Sequence, residues 1–397
     1  MNHTEIGNGI YWIGVHDYTT YLFEGMWPID QEGINYNAYV VVDEKIALID
    51  TVKSIKTDEY LANIKSVIGD RKPDYLIINH MEPDHSSSIA EVVAEYPDIQ
   101  IIGNAKTFPI MKNFYGVDTN LLEVENGGTL DLGGRTLQFY MTPMVHWPES
   151  MVTFDTSTGT LFSMDVFGSY KATVGSIFDD ENDIEAFEFP TYRYYATIVG
   201  KVTEMAKRSL NALAPLDIKV VCPSHGLVWR THMNYLLDLW TRLANAETYP
   251  GVVIVYGTMY GNTRQSAEII ADQLKKDGVK KVIMYDVGVT NISYILADIW
   301  KYQGLIMGAP AYYGQIFPPM QNLLYKLSGN KVRNHICAFF TEYSWSGGAE
   351  RFFQEFMDKT GAVVTADIVK VQGAPDKNDT IALKTLAKSV AMEIGKN

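Results

Sequence analysis

The spacing of hydrophobic residues changes character near residue 250 of this 397-residue chain. Before that point, short apolar runs are separated by glycine and polar residues, a pattern that indicates a sheet-rich domain with many hairpins. The run "NAYVVVDEKIALIDT" predicts a hairpin that turns at Asp43 and Glu44. The next segment, "TDEYLANIKSVIG", has the apolar spacing of a helix.

Further apolar runs in the same region end in, or follow, polar residues. We predict strands in "PDYLIINH", "IQIIGN" and "DIKVVCPSH", and strand pairs in "GGTLDLGGRTLQFYMTP" and "MVTFDTSTGTLFSMD". His80 and His225 each end one of these runs. Asp165 ends the last strand pair and His146 precedes it. These strand-end residues are therefore candidates for a common site.

After Gly251, apolar runs alternate with helical patterns. The predicted strands are "VVIVYG", "KKVIMYD", "GLIMGAP", "ICAFFT" and "AVVTADIVKV", and the predicted helices include residues 263–276 and 318–327. Such alternation predicts a doubly wound parallel sheet. We therefore predict an α+β domain at residues 1–249 and an α/β domain at residues 250–397.

Charge and cysteine content narrow the function. The net charge of −14 argues against nucleic acid and anionic membrane surfaces as partners. No apolar run reaches transmembrane length and no signal peptide is visible, so we expect a cytoplasmic protein. Cys222 and Cys337 are isolated, which argues against a disulfide scaffold and against a cysteine-ligated iron–sulfur or rubredoxin centre.

The stretch "NHMEPDHSS" contains the densest group of possible metal ligands. Within six residues it carries His80, Glu82, Asp84 and His85. Without a cation these side chains would repel or desolvate one another. If alternate residues point to opposite sides, His80 and Glu82 face one ion, and Asp84 and His85 face a second.

More distant ligands must complete two coordination shells. His146 in "HWPES", Asp165 in "FSMDVFG" and His225 in "CPSHG" are the natural choices, because all three flank strands of the same domain. The remaining histidines are expected to be ordinary surface or core residues; they are His3, His16, His232 and His335.

This order of ligands resembles the metallo-β-lactamase-like fold, an αββα sandwich with a dinuclear site. The zinc hydrolases of that fold usually carry H-x-H-x-D-H, whereas Glu82 stands in place of the second histidine here. A carboxylate is a harder, anionic ligand and favours iron that must reach the ferric state. The resemblance therefore implies redox-active iron rather than hydrolytic zinc.

The second domain opens with a phosphate-binding pattern. In "VVIVYGTMYGNT" a strand runs into hydroxyl residues and a glycine at a helix start, where backbone N–H groups bind phosphate. The pattern is neither a Walker motif nor GxGxxG, and it favours a flavodoxin-type mononucleotide site. Two later strand ends, "GAPAYYGQIFPP" and "TEYSWSGGAE", meet it at the switch point of such a sheet.

The predicted flavin-binding residues come from these three loops. They are Thr258, Met259, Tyr260, Gly261, Asn262, Thr263, Ala309, Pro310, Ala311, Tyr312, Tyr313, Gly314, Tyr343, Ser344, Trp345, Ser346, Gly347 and Gly348.

A metallo-β-lactamase-like αββα sandwich followed by a flavodoxin-like doubly wound parallel sheet resembles the flavodiiron protein family, also called A-type flavoproteins. The resemblance spans the whole chain and implies FMN and two non-haem iron ions. It assigns His80, Glu82 and His146 to one iron, Asp84, His85 and His225 to the other, and Asp165 to a bridging position. The equivalent of His85 is not a ligand in every member. The second flavin loop departs from the family, which often has Thr and Asn where this chain has Ala311 and Tyr313.

The resemblance also implies a reaction and partners. These are reduction of O2 to water, of NO to N2O, or both, with O2 favoured as the main substrate. FMN would relay electrons from a rubredoxin-like or F420-type donor, within a head-to-tail homodimer or a dimer of such dimers. Trp147, Tyr192, Tyr194 and Tyr195 are expected to line the gas pocket.

Two other hypotheses stay open. One is a dinuclear zinc hydrolase fused to a flavodoxin module, against which Glu82 argues. The other is a non-catalytic electron carrier or redox sensor with a decayed metal site, against which the complete ligand set argues.

Overall fold

The computed structural model describes residues 3–328, 332 and 334–396, and the chain divides into two compact units after Asn245. Tyr249 already pairs with Tyr302 in a sheet of the second unit, so the chain enters that sheet one residue before the predicted boundary. The division into domains at residues 1–249 and 250–397 stays a prediction. Among the described residues, no helix is long and apolar enough to cross a membrane.

The first unit is built from many short strands and seven α-helices in its described part. The strands are β1 (Thr4–Gly7), β2 (Ile10–Trp12), β3 (Val15–Asp17), β4 (Leu22–Phe23), β5 (Trp27–Pro28), β6 (Ile34–Tyr36), β7 (Tyr39–Val42), β8 (Ile46–Ile49), β9 (Tyr75–Ile77), β10 (Gln100–Gly103), β11 (Leu121–Glu123), β12 (Thr129–Asp131), β13 (Thr136–Met141), β14 (Met151–Asp155), β15 (Thr160–Met164) and β16 (Val220–Pro223). The helices are α1 (Thr57–Ile68), α2 (Pro83–Ser86), α3 (Ile89–Glu95), α4 (Thr107–Tyr115), α5 (Glu185–Tyr194), α6 (Thr203–Leu213) and α7 (Met233–Ala244).

Two sheets form a sandwich in this unit, as predicted. The larger has the order β1-β2-β7-β8-β9-β10-β11 and the smaller β12-β13-β14-β15-β16. Apolar residues of both sheets, such as Ile49 and Ile77 of one and Phe139 and Phe162 of the other, pack into one core. The predicted hairpin is confirmed, since β7 and β8 are antiparallel around Asp43.

Parallel pairing places the loops that leave neighbouring strands at the same end of each sheet. β9 lies parallel to β8 and β10, and the loop that leaves β9 carries His80. β15 and β16 are also parallel, so Asp165 follows one strand and His225 follows its neighbour. This pairing places residues that are far apart in sequence at neighbouring strand ends.

The second unit is the predicted parallel sheet. Its strands are β17 (Tyr249–Tyr256), β18 (Val282–Asp286), β19 (Tyr302–Tyr312), β20 (Gln315–Ile316), β21 (Ile336–Tyr343), β22 (Val363–Val364) and β23 (Val369–Gln372). Its helices are α8 (Asn262–Lys276), α9 (Ile292–Lys301), α10 (Pro318–Ser328), α11 (Glu350–Thr360) and α12 (Lys377–Ala391). The order β18-β17-β19-β21, with β22 and β23 beside β21, is the flavodoxin order.

The last predicted strand, "AVVTADIVKV", is wrong as a single strand. Val364 lies opposite Cys337, whereas Val369 lies opposite Phe340. Between these two pairs the edge segment advances by five residues, whereas β21 advances by three. Two residues of the edge segment therefore have no partner on β21. The edge segment divides into β22 and β23 for this reason.

Candidate metal centre and flavin cavity

The loop after β9 holds its four polar side chains in two different ways. His80 and Glu82 lie outside any helix, and Glu82 has extended backbone angles, whereas Asp84 and His85 lie in the short helix α2, which begins at Pro83. Proline suits the first turn of a helix because it lacks an N–H group. From the sequence, alternate residues of this loop are expected to point to opposite sides. That expectation is wrong for Asp84 and His85. They occupy the same helical turn.

The structure nevertheless brings all seven predicted ligands into two adjoining groups. His80, Glu82, His146 and Asp165 form the first, and Asp84, His85 and His225 form the second. Within each group, one possible ligand atom per residue lies within 4.8 Å of the others. The side chains are buried, apart from His146, which is partly exposed.

The first group converges on one carboxylate oxygen of Glu82. His146 Nε2 lies 2.9 Å from Glu82 Oε2, and His80 Nε2 lies 3.5 Å from the same atom. Asp165 Oδ2 completes the group at 3.3 Å from His80 Nε2 and 3.2 Å from His146 Nε2. Two imidazoles and two carboxylates therefore present nitrogen and oxygen atoms to one point.

The second group also combines two imidazoles with carboxylate, but Asp84 is the one carboxylate among its three members. Asp84 Oδ2 lies 3.4 Å from His85 Nε2 and 3.2 Å from His225 Nε2. The other oxygen of Asp165, Oδ1, lies 3.1 Å from His85 Nε2 and 3.7 Å from His225 Nε2. The two oxygens of Asp165 thus face different groups, which is the arrangement of a bridging carboxylate.

Other residues orient the imidazole rings. Glu149 Oε1 lies 2.9 Å from His80 Nδ1 and accepts a hydrogen bond from the Met81 backbone N–H. The backbone carbonyl of Asn35 lies 2.7 Å from His225 Nδ1. Each partner fixes the ring so that Nε2 faces the site, and such outer contacts tune ligand basicity.

A buried carboxylate, Asp50, supports the start of the ligand loop. Its Oδ1 accepts from the Asn79 backbone N–H at 2.7 Å, and its Oδ2 accepts from the Asn79 side chain at 3.2 Å. Thr153 donates to the other end of that side chain. This network joins β8, β9 and β14 immediately before His80, so the loop leaves the sheet in a fixed direction.

Several buried polar atoms in the two groups lack hydrogen-bond partners among the described residues. They are His80 Nε2, both carboxylate oxygens of Asp84, His85 Nδ1, Asp165 Oδ2 and His225 Nε2. Unpaired buried polar atoms are costly. Their convergence fits bound cations, and an all-nitrogen-and-oxygen donor set rich in carboxylate suits iron.

The pKa values indicate how strongly these groups attract positive charge. Burial opposes charging of His146, but contacts with Asp165 and Glu82 raise its pKa to about 10. Burial likewise opposes charging of His85, while Asp84 and Asp165 raise its pKa to about 9. In the absence of metal, protons therefore take the place of cations, and metal binding must release them.

The aromatic residues predicted around the site have different positions. The Trp147 ring lies 5.4 Å from that of His80, and the Tyr194 ring lies 5.5 Å from that of His225. The Tyr194 hydroxyl is buried without a hydrogen-bond partner in the described structure. Tyr192 is also buried.

The prediction is wrong for Tyr195. It packs on Trp240 at 5.3 Å and pairs with Thr203, because consecutive residues of a helical turn face different sides.

The four remaining histidines have other partners, as expected. His3 pairs with Ser66, His16 with Asn35, His232 with Asp179, and His335 with the Ile299 carbonyl.

A cavity of about 600 Å³ lies at the strand ends of the second unit, a volume typical of cofactor sites. The predicted residues that line it are Met259, Tyr260, Asn262, Pro310, Ala311, Tyr312, Tyr313, Gly314, Tyr343, Ser344, Trp345 and Ser346. The other predicted residues are not part of its lining; they are Thr258, Gly261, Thr263, Ala309, Gly347 and Gly348.

Gly261 shapes the entry to α8. It has a φ of +103°, and its N–H donates to the Thr258 hydroxyl at 3.0 Å. Glycine adopts positive φ without a steric penalty. α8 begins at the cavity-lining Asn262, and the first N–H groups of a helix lack intrahelical partners and suit a phosphate.

Two kinds of residue that the structure places at the sites were not predicted from the sequence. Glu149 lies inside the quoted "HWPES" and contacts a predicted ligand, so a search for partners of His80 would have found it. Glu342 and Gly373 line the flavin cavity. Glu342 directly precedes the predicted Tyr343 in the sequence. It was not predicted, because a carboxylate and a phosphate repel each other.

Comparisons with known proteins agree with the metallo-β-lactamase-like part and with the flavodoxin-like part of the chain. The family model described as ODP family beta lactamase matches residues 34–226, and the flavodoxin model matches residues 254–383. The rubredoxin-oxygen oxidoreductase of Megalodesulfovibrio gigas is 30% identical to this chain over 98% of both sequences. The nitric oxide reductase of Moorella thermoacetica is likewise 30% identical over 98% of both. The chain belongs to the flavodiiron protein family.

Solved structures support the same family. The rubredoxin oxygen:oxidoreductase of Desulfovibrio gigas matches with a TM-score of 0.94 and 29% identity over 98% of both chains. A flavoprotein of Thermotoga maritima matches with a TM-score of 0.87 and 29% identity over 96% of both. This flavodiiron protein is therefore an oxidoreductase with FMN and a non-haem diiron site as its cofactors.

Proposed function

We propose that this flavodiiron protein reduces O2 to water as its main reaction and NO to N2O as a second one. The observation that carries the proposal is Asp165, whose two oxygens face two separate groups of ligands. A single carboxylate shared in this way suits two ions that act together on a diatomic molecule. The names of the relatives, an oxygen oxidoreductase and a nitric oxide reductase, support the same pair of substrates.

The protein's residues have distinct tasks in this reaction. When bound, two irons would supply redox equivalents to the diatomic substrate, and FMN would supply the electron relay. His80, Glu82 and His146 would hold one iron, Asp84, His85 and His225 would hold the other, and Asp165 would bridge them. Glu149 and the Asn35 carbonyl keep the His80 and His225 rings in orientation.

Buried aromatic rings exclude bulk water from the second group. Phe23 and Tyr194 each lie 5.5 Å from the His225 ring, and both are buried. A dry pocket strengthens electrostatic interactions and limits the site to small, uncharged substrates.

The electron donor is proposed to be a rubredoxin-type protein. The name of the Megalodesulfovibrio gigas relative supports this choice. The F420-type donor, the head-to-tail homodimer or dimer of dimers, and the cytoplasmic location stay predictions.

The deciding experiment measures metal content and turnover together. One sample of the metal-free protein is reconstituted anaerobically with ferrous iron alone and a parallel sample with zinc alone, because Zn2+ generally binds more tightly than Fe2+ when both are offered. We expect about two irons per chain in the first sample, and reductase activity in that sample alone. Reduced rubredoxin should then support consumption of O2 and of NO. Glu82→His, which restores the hydrolase motif, should lower the reductase rate and the number of irons retained against a chelator, whereas the exposed Glu91→Gln should change neither.

Other outcomes would contradict the proposal. Two zincs that iron cannot replace, with hydrolysis of an ester or lactam, would favour the hydrolase. A fully iron-loaded protein that accepts electrons without consuming either gas would favour the electron carrier.

A further inference from the structure

Glu342 is the one charged side chain among the described residues that line the flavin cavity. It lies near the end of β21 and is half-buried. No lysine, arginine or histidine is present in the described lining. A phosphate in this cavity would therefore meet hydroxyl and backbone groups and a carboxylate, with no cationic side chain in the wall.

The Glu342 carboxylate contacts the first turn of α8. The Thr263 hydroxyl donates to Glu342 Oε2 at 3.2 Å, and the Asn262 side chain also hydrogen-bonds to the carboxylate. α8 begins after Gly261 and has no side-chain cap from its own first residues. The carboxylate thus lies at a helix N-terminus, the place where the phosphate is expected.

The carboxylate already engages two side-chain donors of this turn. Asn262 lines the cavity, whereas Thr263 is fully buried outside the lining, and a threonine hydroxyl has a single hydrogen to donate. A phosphate at the start of α8 would meet donors that Glu342 occupies, and two negative charges at one helix start repel each other. Burial raises the pKa of Glu342, while the hydrogen bonds from Thr263 and Asn262 oppose that rise.

We propose that Glu342 is a specificity-determining residue that competes with the FMN phosphate for the start of α8. The competition reduces the preference of this site for FMN over riboflavin, which lacks the phosphate. The inference rests on the proposal that this cavity binds FMN.

The test compares two flavins on three proteins. Flavin-free full-length protein, Glu342→Gln and Glu268→Gln are each titrated with FMN and with riboflavin, and Kd is measured from flavin fluorescence. Glutamine has the same shape as glutamate and still accepts from Thr263. Glu268 is a matched control, because it lies on α8, is exposed, pairs with Arg264 and is outside the cavity lining.

We expect Glu342→Gln to tighten FMN binding about tenfold, since a like charge is removed at short range. Riboflavin affinity should change by less than about twofold, and Glu268→Gln should leave both affinities within about twofold. Glu342→Ser, whose side chain is too short to reach Thr263, should also tighten FMN alone.

Three results would overturn the proposal. The first is an unchanged or weaker FMN affinity in both Glu342 variants, with folding verified by circular dichroism. The second is an equal gain for both flavins, which would mean that the phosphate is not involved. The third is no binding of either flavin to any variant, which would reject the flavin site and the competition with it.

Discussion

The candidate metal centre and the flavin cavity offer their cofactors opposite kinds of contact. At the metal centre, side chains provide all the predicted contacts, and six of the seven are buried. At the flavin cavity, the helix start and loop backbone provide much of the binding surface, and Tyr313 and Trp345 on its wall are almost fully exposed. A side-chain site depends on residue identity, whereas a backbone site tolerates substitution. This difference explains why the predicted ligand set agrees with the family resemblance while the second flavin loop departs from it.

The largest effect is expected from the residue shared by both metal groups. Asp165→Asn removes the charge that faces both of them, so we expect iron content to fall below half and O2 consumption to fall at least about 100-fold. Elemental analysis and an oxygen electrode measure the two outcomes. Asp118→Asn, a surface carboxylate paired with Lys112, is the control. Full iron loading of Asp165→Asn would argue against a bridge.

The next effect separates the two metal groups. Glu149→Gln removes the negative partner of His80 and leaves the carbonyl partner of His225 intact. We expect iron affinity at the first group to fall by about 10- to 100-fold, with a smaller loss at the second. Competition with a chelator measures both affinities. Glu123→Gln, an exposed substitution on β11, should have no effect, and equal losses at both groups would contradict the assignment.

Glycine at the flavin loop gives a matched pair of substitutions. Gly261 and Gly278 both have positive φ, and a Cβ at either position meets no other atom within 4 Å. Alanine at each should therefore cost about 1–2 kcal/mol of unfolding free energy through backbone strain alone. Only Gly261→Ala should also weaken FMN binding, measured by fluorescence titration. Equal FMN affinities in the two variants would contradict the backbone cradle.

The pH dependence of the metal-free protein tests the charge balance of the ligands. The pKa of His146 is raised to about 10 in the fold, so its stabilising effect is complete below the unfolded value of about 6.5 and is lost as pH rises toward 10. We expect the Tm of the metal-free protein to fall between about pH 7 and about pH 10. The iron-loaded protein already has neutral histidines and should not share that slope. Parallel slopes would contradict this account.

The smallest effect comes from a histidine of the second unit and has the opposite sign. Burial lowers the pKa of His335, although its hydrogen bonds oppose the shift. The neutral form is favoured in the fold, so stability is lost as pH falls below about 6.5. His335→Gln should reduce that acid sensitivity in thermal unfolding, because glutamine does not titrate. An unchanged acid sensitivity in His335→Gln would contradict this account.

The local sequence patterns determined much of this protein. Alternating apolar runs predicted the parallel sheet of the second unit, because burial on both faces demands such runs. The dense ligand loop and its distant partners predicted the seven residues of the metal centre, because those side chains need a cation when they are buried together. The helix start at Gly261 was also visible, since hydroxyl residues and a glycine directly after a strand are typical of a phosphate-binding turn.

Only the tertiary structure decided how these residues share space. It placed Asp84 and His85 in one helical turn, turned Tyr195 toward Trp240, divided the last strand in two, and joined Glu149 to His80. It also brought Glu342 to Thr263, although 79 residues separate them. Sequence periodicity reports which face of an element is buried, but the partner that meets that face is set by packing between distant elements.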